Sequence, residues 1–365
     1  MFKFLVGFFI ILFLLSIIYI IIRTHKISFV QQLATKHKIL SWIISLIPLC
    51  AVACFSIINL FASIVVFFHL VVIWFLCDLI GLAFKKLLRF KPKRYYAGLT
   101  AIVLTTIYLS YGWISAHYVF QTDYNLSTSK NLGQQNLRIV TIADSHIGIT
   151  LDSEKFAKEM EKVSETNPDV VIIAGDYVDD DTLKTDMVKC CEALGNIKSK
   201  YGVYFAFGNH DKGYFQYRDF TSDDLHQELL KNNVNILEDE AKLIDNKFYI
   251  IGRQDKQVQN RADMNTLTKN LDKDKYKILI DHEPNDYDNE AGCVDLVLSG
   301  HTHGGHIFPA GYIGLAIKAN DRVYGYENRN GTDFIVTSGI SGWAIPFKTG
   351  AISEFIVTDI SSANN

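Results

Sequence analysis

The apolar positions divide the chain at about residue 120. Before that point Leu, Ile, Val, Phe and Ala dominate, and after it charged and apolar residues mix as in a water-soluble domain. Phe4 to Ile22 is an apolar run long enough to cross a hydrocarbon core of about 30 Å as a helix. Arg23, Thr24 and His25 follow it where a cleaved leader would have small residues, so a retained anchor is expected. Ile39 to Phe84 is too long for one crossing, and Asn59 and Ser63 mark a turn between two helices, giving spans over 39–60 and 63–84. Ala97 to His117 makes a fourth span, with Tyr95 and Tyr96 at one end and Trp113 and Tyr118 at the other as interfacial rings. The expected organisation is a transmembrane region over 1–120, a polar linker over 121–136 and a soluble domain over 137–365.

In the soluble part, short β-branched runs alternate with helical stretches. Leu137 to Ala143, Asp169 to Ala174 and Gly202 to Phe207 predict strands, separated by a helix that Ser153 caps and that runs to Glu165, and by another from about Thr182 to Lys198. Tyr276 to Ile280 and Asp295 to Ser299 predict two more strands. Such alternation argues for an α/β domain with a largely parallel sheet, whose ligands gather beyond the carboxyl ends of the strands.

Charge sets an orientation. Arg23, Lys26, Lys36 and Lys38 follow the first span, and Lys85, Lys86, Arg89, Lys91, Lys93 and Arg94 follow the third, whereas the opposite side shows only Lys3 and Lys130. Basic connections stay in the cytoplasm, so a multi-pass cell-membrane protein is expected, with both termini and the soluble domain outside the cytoplasm. Asp78, within the third span, is expected to pair with Lys85 and Lys86 near the interface rather than to mark an ion path. The net charge is only −3 and the soluble domain's charges are interspersed, so nucleic acid is not a favoured partner. Cys190, Cys191 and Cys293 form no CxxC pair, which excludes a thiolate zinc site and leaves packing as their role.

Every strand run ends on polar residues of one kind. Asp144 and His146, Asp176, Asn209, His282, and His301 and His303 offer oxygen and imidazole donors without a thiolate, a mixture that suits manganese, iron, zinc or nickel. Residues two apart on an extended chain point to one face, so Asp-Ser-His and His-Thr-His can each aim two donors at one place. The set exceeds one ion's usual need, and a bridging carboxylate shared by two divalent ions accounts for the excess.

In this order, Asp144-Ser145-His146, Gly175-Asp176, Gly208-Asn209-His210-Asp211, His282 and Gly300-His301-Thr302-His303 resemble the calcineurin-like metallophosphoesterase superfamily over about residues 137–360. The runs HEPND at 282–286, LVLSGHTHGGH at 296–306 and TSGISGWAIPFKTG at 337–350 resemble its bacterial membrane-anchored branch. The resemblance implies a four-layer α/β fold, two β-sheets between helices. It also implies that Asp144, His146 and His303 hold a first metal, that Asn209, His282 and His301 hold a second, and that Asp176 bridges. Two cations about 3.5–4 Å apart would activate a bridging hydroxide for in-line attack on a phosphoester. His210, held by Asp211, would protonate or hydrogen-bond the departing oxygen. His306, where the branch often has Gln, is expected to support the site or touch substrate, and Asp179 to be structural. The expected activity is hydrolysis of a phosphomonoester, phosphodiester or pyrophosphate on an envelope, lipid-linked or nucleotide-containing substrate, with manganese the first choice of metal. The alternative is a metal-binding membrane receptor or scaffold without turnover.

Overall fold

The computed structural model of the protein describes residues 2–87, 94–212 and 217–362, with side chains from Gly7 onward. Lys3, Arg89, Lys91 and Lys93, used above for orientation, lie outside the residues so described. The chain divides into two compact units, Met1–Tyr111 and Gly112–Asn365.

Four helical stretches of the first unit and its junction are long and apolar enough to cross a membrane: Gly7–His25, Lys38–Ile57, Leu60–Leu87 and Ala97–His117. The second is broken into Lys38–Ile44, Ile47–Cys54 and a 3₁₀ turn Phe55–Ile57, with Pro48 in the opening turn of its middle piece, where the missing N–H costs nothing. The turn falls at Ile58-Asn59, and Asn59 accepts the Ala62 N–H at 2.7 Å. Ser63 lies inside the next helix rather than in the turn, and its hydroxyl donates to the Val52 carbonyl at 3.1 Å, tying the two helices. Asp78 does not pair with Lys85 or Lys86 as expected. Its carboxylate meets Arg23 Nε at 2.8 Å and accepts from the Tyr19 and Tyr95 hydroxyls at 2.5 and 2.7 Å. Lys85 lies about 10 Å further along the same helix, out of reach, whereas Arg23 approaches from a neighbouring helix.

The second unit holds twelve strands among its described residues, in two six-stranded sheets. The first contains β1 (Val119–Thr128), β2 (Asn136–Ile142), β3 (Val170–Ala174), β4 (Val203–Ala206), β5 (Asn235–Ile236) and β12 (Ser353–Ser362), in the order β1-β12-β2-β3-β4-β5. The second contains β6 (Glu240–Ile244), β7 (Phe248–Gly252), β8 (Tyr276–Ile280), β9 (Leu296–Ser299), β10 (Gly325–Arg329) and β11 (Thr332–Val336), in the order β10-β11-β9-β8-β7-β6. β2, β3 and β4 run parallel, as do β7, β8, β9 and β11, so the carboxyl ends of each series line one edge.

Period-two alternation builds the layers. Val140, Ile142, Val171 and Ile173 pack outward on Phe156 and Met160 of helix Ser153–Glu165 and on Met187 and Leu194 of helix Lys184–Gly195. Their neighbours Ile139, Val170 and Ile172 face inward onto Phe248, Ile278, Ile280 and Leu298 of the second sheet. Beyond that sheet, Leu279 and Val297 pack on Met264 and Tyr287. The result is the expected four-layer arrangement. Cys190 and Cys191 are free thiols buried in the outer core.

Three local expectations change. Residues 121–136 are not a linker: much of that stretch is β1, an edge strand paired in parallel with β12 from Val119↔Ser353 to Thr128↔Ser362. Gln121, Asp123, Asn125 and Ser127 are exposed, while Phe120, Thr122, Tyr124 and Leu126 form the half-buried face, a period-two alternation that the linker reading passed over. The helix at 153 is capped by Asp152, which accepts the Lys155 N–H at 2.8 Å, and Ser153 instead donates to Asp186 at 2.6 Å. The helix predicted over 182–198 is shorter, Lys184–Gly195.

Candidate metal centre

The polar clusters all follow strands whose carboxyl ends share one edge, and the chain turns sharply there. Asp144, His146, Asp176, His301 and His303 have φ values of 51°, 35°, 50°, 69° and 49°. Left-handed backbone costs a non-glycine residue about 1–3 kcal/mol, and strain of this kind gathers at functional sites. Hydrogen bonds between neighbouring turns hold it: Asp144 N–H donates to Gly175, His146 N–H to Asp176, and Gly300 N–H to His282, at 3.0, 3.1 and 3.0 Å. Gly175, at φ 78°, fits because a Cβ there would lie 2.6 Å from both the Gly208 nitrogen and His282 Nδ1.

The expected ligands converge in two groups, and a third group, His146 with Asp179 and His210, adjoins them. Asp144, His146 and His303 form one and Asp176, His282 and His301 the other, each with its donor atoms mutually within 4.8 Å. Asn209 joins the second group, its Oδ1 3.1 Å from His301 Nδ1. Asp176, a member of the second group, also faces the first: its Oδ2 is 3.1 Å from His282 Nε2 and 3.7 Å from His146 Nε2. All seven residues singled out from the sequence as ligands are therefore brought together.

The donor chemistry fits cations. His282 Nδ1 lies 2.8 Å from the Ala174 carbonyl, which can only accept, so Nδ1 carries the proton and Nε2 a lone pair. That Nε2 is buried without a hydrogen-bond partner and faces a carboxylate oxygen. His146 Nε2 and His303 Nε2 are likewise 3.2 Å apart. At the His282–Asp176 contact two electron-pair donors face each other, an arrangement that needs a cation or a proton between them, whereas at the His146–His303 contact one neutral ring can donate to the other.

Burial would raise the Asp176 carboxyl, yet the His282, His146 and His210 rings hold it well below the usual carboxylate range. The same pair raises His282 despite its burial, through the Asp176 charge. Burial and the neighbouring His146 push His303 well down, and burial and His282 lower His301, leaving both neutral and able to donate electron pairs.

The partner of His210 differs from expectation. Asp211 does not hold that ring. Its carboxylate accepts the backbone N–H groups of Tyr177, Val178 and Gly208 at 2.8, 3.1 and 2.9 Å, bracing one turn against another. Asp179, expected to lie outside the site, takes the orienting place: Oδ1 is 3.0 Å from His210 Nδ1, and Oδ2 is 3.0 Å from His146 Nδ1. Burial opposes its charge, but the two imidazoles keep its carboxyl low. His306 has its ring 5.4 Å from that of His303 and belongs to neither donor group.

Sequence reading also passed over the individual roles of two residues in the 338–350 loop. The half-exposed Trp343 ring stands 5.9 Å from His210 and 6.5 Å from both His146 and His303, walling the site. Lys348 is fully buried, and its ammonium donates to the carbonyls of Ser338, Ile352 and Gly339 at 2.5, 3.1 and 3.2 Å.

Residues 137–305 match the calcineurin-like phosphoesterase family. The chain carries a calcineurin-like metallophosphoesterase domain. Proteins similar to this chain include an uncharacterized metallophosphoesterase from Campylobacter jejuni, 31% identical over 62% of this chain and 60% of the relative. A second, from Aquifex aeolicus, is 28% identical over 70% of this chain and 97% of the relative. A transmembrane protein with a metallophosphoesterase domain from Danio rerio is 28% identical over 70% of this chain and 60% of that protein. The match thus spans less than two thirds of the first and third relatives. The family's members are metal-dependent phosphoric ester hydrolases, which agrees with the donor set, and the relatives are not confined to bacteria.

Proposed function

We propose that this metallophosphoesterase is a multi-pass membrane enzyme that binds two divalent ions and hydrolyses a phosphomonoester, phosphodiester or pyrophosphate bond outside the cytoplasm. The observation that carries this reading is the placement of Asp176 Oδ2 between the two donor groups, 3.1 Å from His282 Nε2 and 3.7 Å from His146 Nε2. Asp144, His146 and His303 would hold one ion, Asn209, His282 and His301 the other, with Asp176 between them. Nitrogen and oxygen donors without thiolates suit manganese, with iron, zinc or nickel as alternatives. Two such cations, when bound, neutralise phosphate oxygens and make water nucleophilic near neutral pH.

The remaining chemistry belongs to the chain. His210, with Nδ1 directed at Asp179, presents Nε2 as the atom that gives a proton to the departing oxygen. Asp211 keeps the 208–211 turn against 177–178, and Trp343 screens the imidazoles from bulk water.

A lipid-linked or other envelope substrate is supported by the apolar ground beside the site. Directly after His306 come Phe308, Tyr312 and Ile317, which are 54%, 70% and 71% exposed. A cavity of about 330 Å³ lies between Gly304, Gly305, Tyr312 and Leu315. The basic connections after the first and third spans support the orientation.

The test uses the full chain in detergent with manganese, on p-nitrophenyl phosphate and bis-p-nitrophenyl phosphate, with Asp176→Ala as control. Equal activity of the two proteins would sink the metal-centred mechanism. A reporter fused after Asn365 that is active only in the cytoplasm would overturn the orientation.

A further inference from the structure

The first unit contains a cleft of about 940 Å³ whose lining mixes two kinds of side chain. Arg23, Lys26, Lys85 and Arg94 line one part, and apolar groups including Phe84 and Leu104 line the rest. Asp78 is the only carboxylate among the described lining residues, and it is already committed. Arg23 and the Tyr19 hydroxyl reach its Oδ2, and the Tyr95 hydroxyl reaches its Oδ1 while accepting from Trp74 Nε1 at 2.8 Å. Asp78 is buried and held by this network, and none of the other three lining cations lies within 4 Å of it. Among the described residues, Lys26, Lys85 and Arg94 have no carboxylate within 4 Å, and all three are exposed along the cleft.

Three uncommitted cations beside an apolar wall form a surface complementary to one molecule with two chemistries, a phosphate anion joined to hydrocarbon chains. We propose that this cleft binds an anionic phospholipid, its headgroup phosphate among Lys26, Lys85 and Arg94 and its acyl chains along Phe84 and Leu104. The assignment rests on the reading that these helices cross a bilayer. Arg23 contributes to the positive field, but its guanidinium is held by Asp78, so the discriminating contacts come from the other three. Basic clefts between membrane helices are suited to such headgroups, each cation near the surface strengthening the attraction about fivefold. The site shares no residue with the metal centre and calls for no turnover of the lipid.

The experiment uses the full chain in detergent, titrated with phosphatidylglycerol, phosphatidylcholine or inorganic phosphate, with bound lipid read by native mass spectrometry. Phosphatidylglycerol is expected to bind at least tenfold more tightly than phosphatidylcholine, and inorganic phosphate not to displace it. Lys26→Gln, Lys85→Gln and Arg94→Gln should each weaken binding about fivefold, and the triple variant about a hundredfold. Lys36→Gln, an exposed cation outside the cleft, should change nothing. Equal binding of the two lipids, or unchanged affinity in all three single variants, would overturn the proposal. Displacement by inorganic phosphate would overturn the lipid assignment in favour of a soluble anion. Alkaline carbonate extraction of the wild type from membranes tests the bilayer reading separately, so its failure is distinguishable from loss of lipid selectivity.

Discussion

Asp179 and Asp211 both lie near His210, and only one of them touches its ring, so exchanging each for Asn separates orientation from bracing. In Asp179→Asn the volume is kept and the charge lying 3.0 Å from both His210 Nδ1 and His146 Nδ1 is removed. A hydrogen bond to a charged group contributes about 1.5–3 kcal/mol, and a positioned general acid contributes about 10²–10⁴ in rate. The His146 side should also lower metal affinity about 10–100-fold, which excess manganese offsets. At saturating manganese, kcat should therefore fall by about a hundredfold on phenyl or alkyl phosphoesters. It should fall much less on p-nitrophenyl esters, whose leaving group needs little protonation. Asp211→Asn weakens a carboxylate that accepts three backbone N–H groups, so its main effect should be on thermal unfolding, by about 2–4 kcal/mol. The folded fraction should keep kcat within a few-fold and retain the wild-type leaving-group dependence. If Asp211→Asn instead shows the steeper leaving-group dependence while Asp179→Asn parallels the wild type, the assignment of Asp179 as the orienting residue is wrong.

Other perturbations test the frame of the site. Gly175→Ala places a methyl 2.6 Å from a backbone nitrogen and from His282 Nδ1 at a left-handed φ, so it should destabilise the second unit by about 2–5 kcal/mol. A melting temperature equal to wild type would contradict the tight approach of the two turns. Lys348→Met removes one donor from each of three carbonyls; Ile352 keeps the Ser338 hydroxyl and Gly339 the Glu354 N–H, so the Ser338 carbonyl bears most of the loss, about 1–3 kcal/mol, and the loop that carries Trp343 should loosen. Limited proteolysis within 338–350 should accelerate in that variant, and unchanged cleavage would count against the role of Lys348. Asp176→Asn should reduce bound manganese from two per chain to one or none by elemental analysis, and retention of both ions would remove the shared-ligand reading.

The strands that carry the site were legible because each is a short, β-branched run closed by a polar cluster. β8 falls on the predicted residues, Tyr276–Ile280, and β2, β3, β4 and β9 fall within about two residues of expectation. β1 carries a period-two alternation of Phe120, Thr122, Tyr124 and Leu126 with polar residues that was passed over, and its pairing with β12, over two hundred residues away, is one no local pattern reports. The donor residues could be gathered from type and order alone. The difference between Asp179 and Asp211 could not, because it depends on which carboxylate the 177–178 backbone N–H groups claim. Asp78 shows the same limit: its nearest cations in sequence are further along its own helix, and its partner comes from another.

The position of β12 between β1 and β2 has a consequence for biogenesis. These two strands are early in the second unit and adjacent in sequence, yet neither pairs with the other, and both depend on Ser353–Ser362. While the ribosome is still making β12, the first sheet lacks the strand that joins its edge to its centre. Non-local closure of this kind is slow, and it keeps the incomplete chain extended for longer. Under the proposed orientation, in which the second unit crosses a bilayer during synthesis, late closure would keep that unit threadable until the last strand has followed.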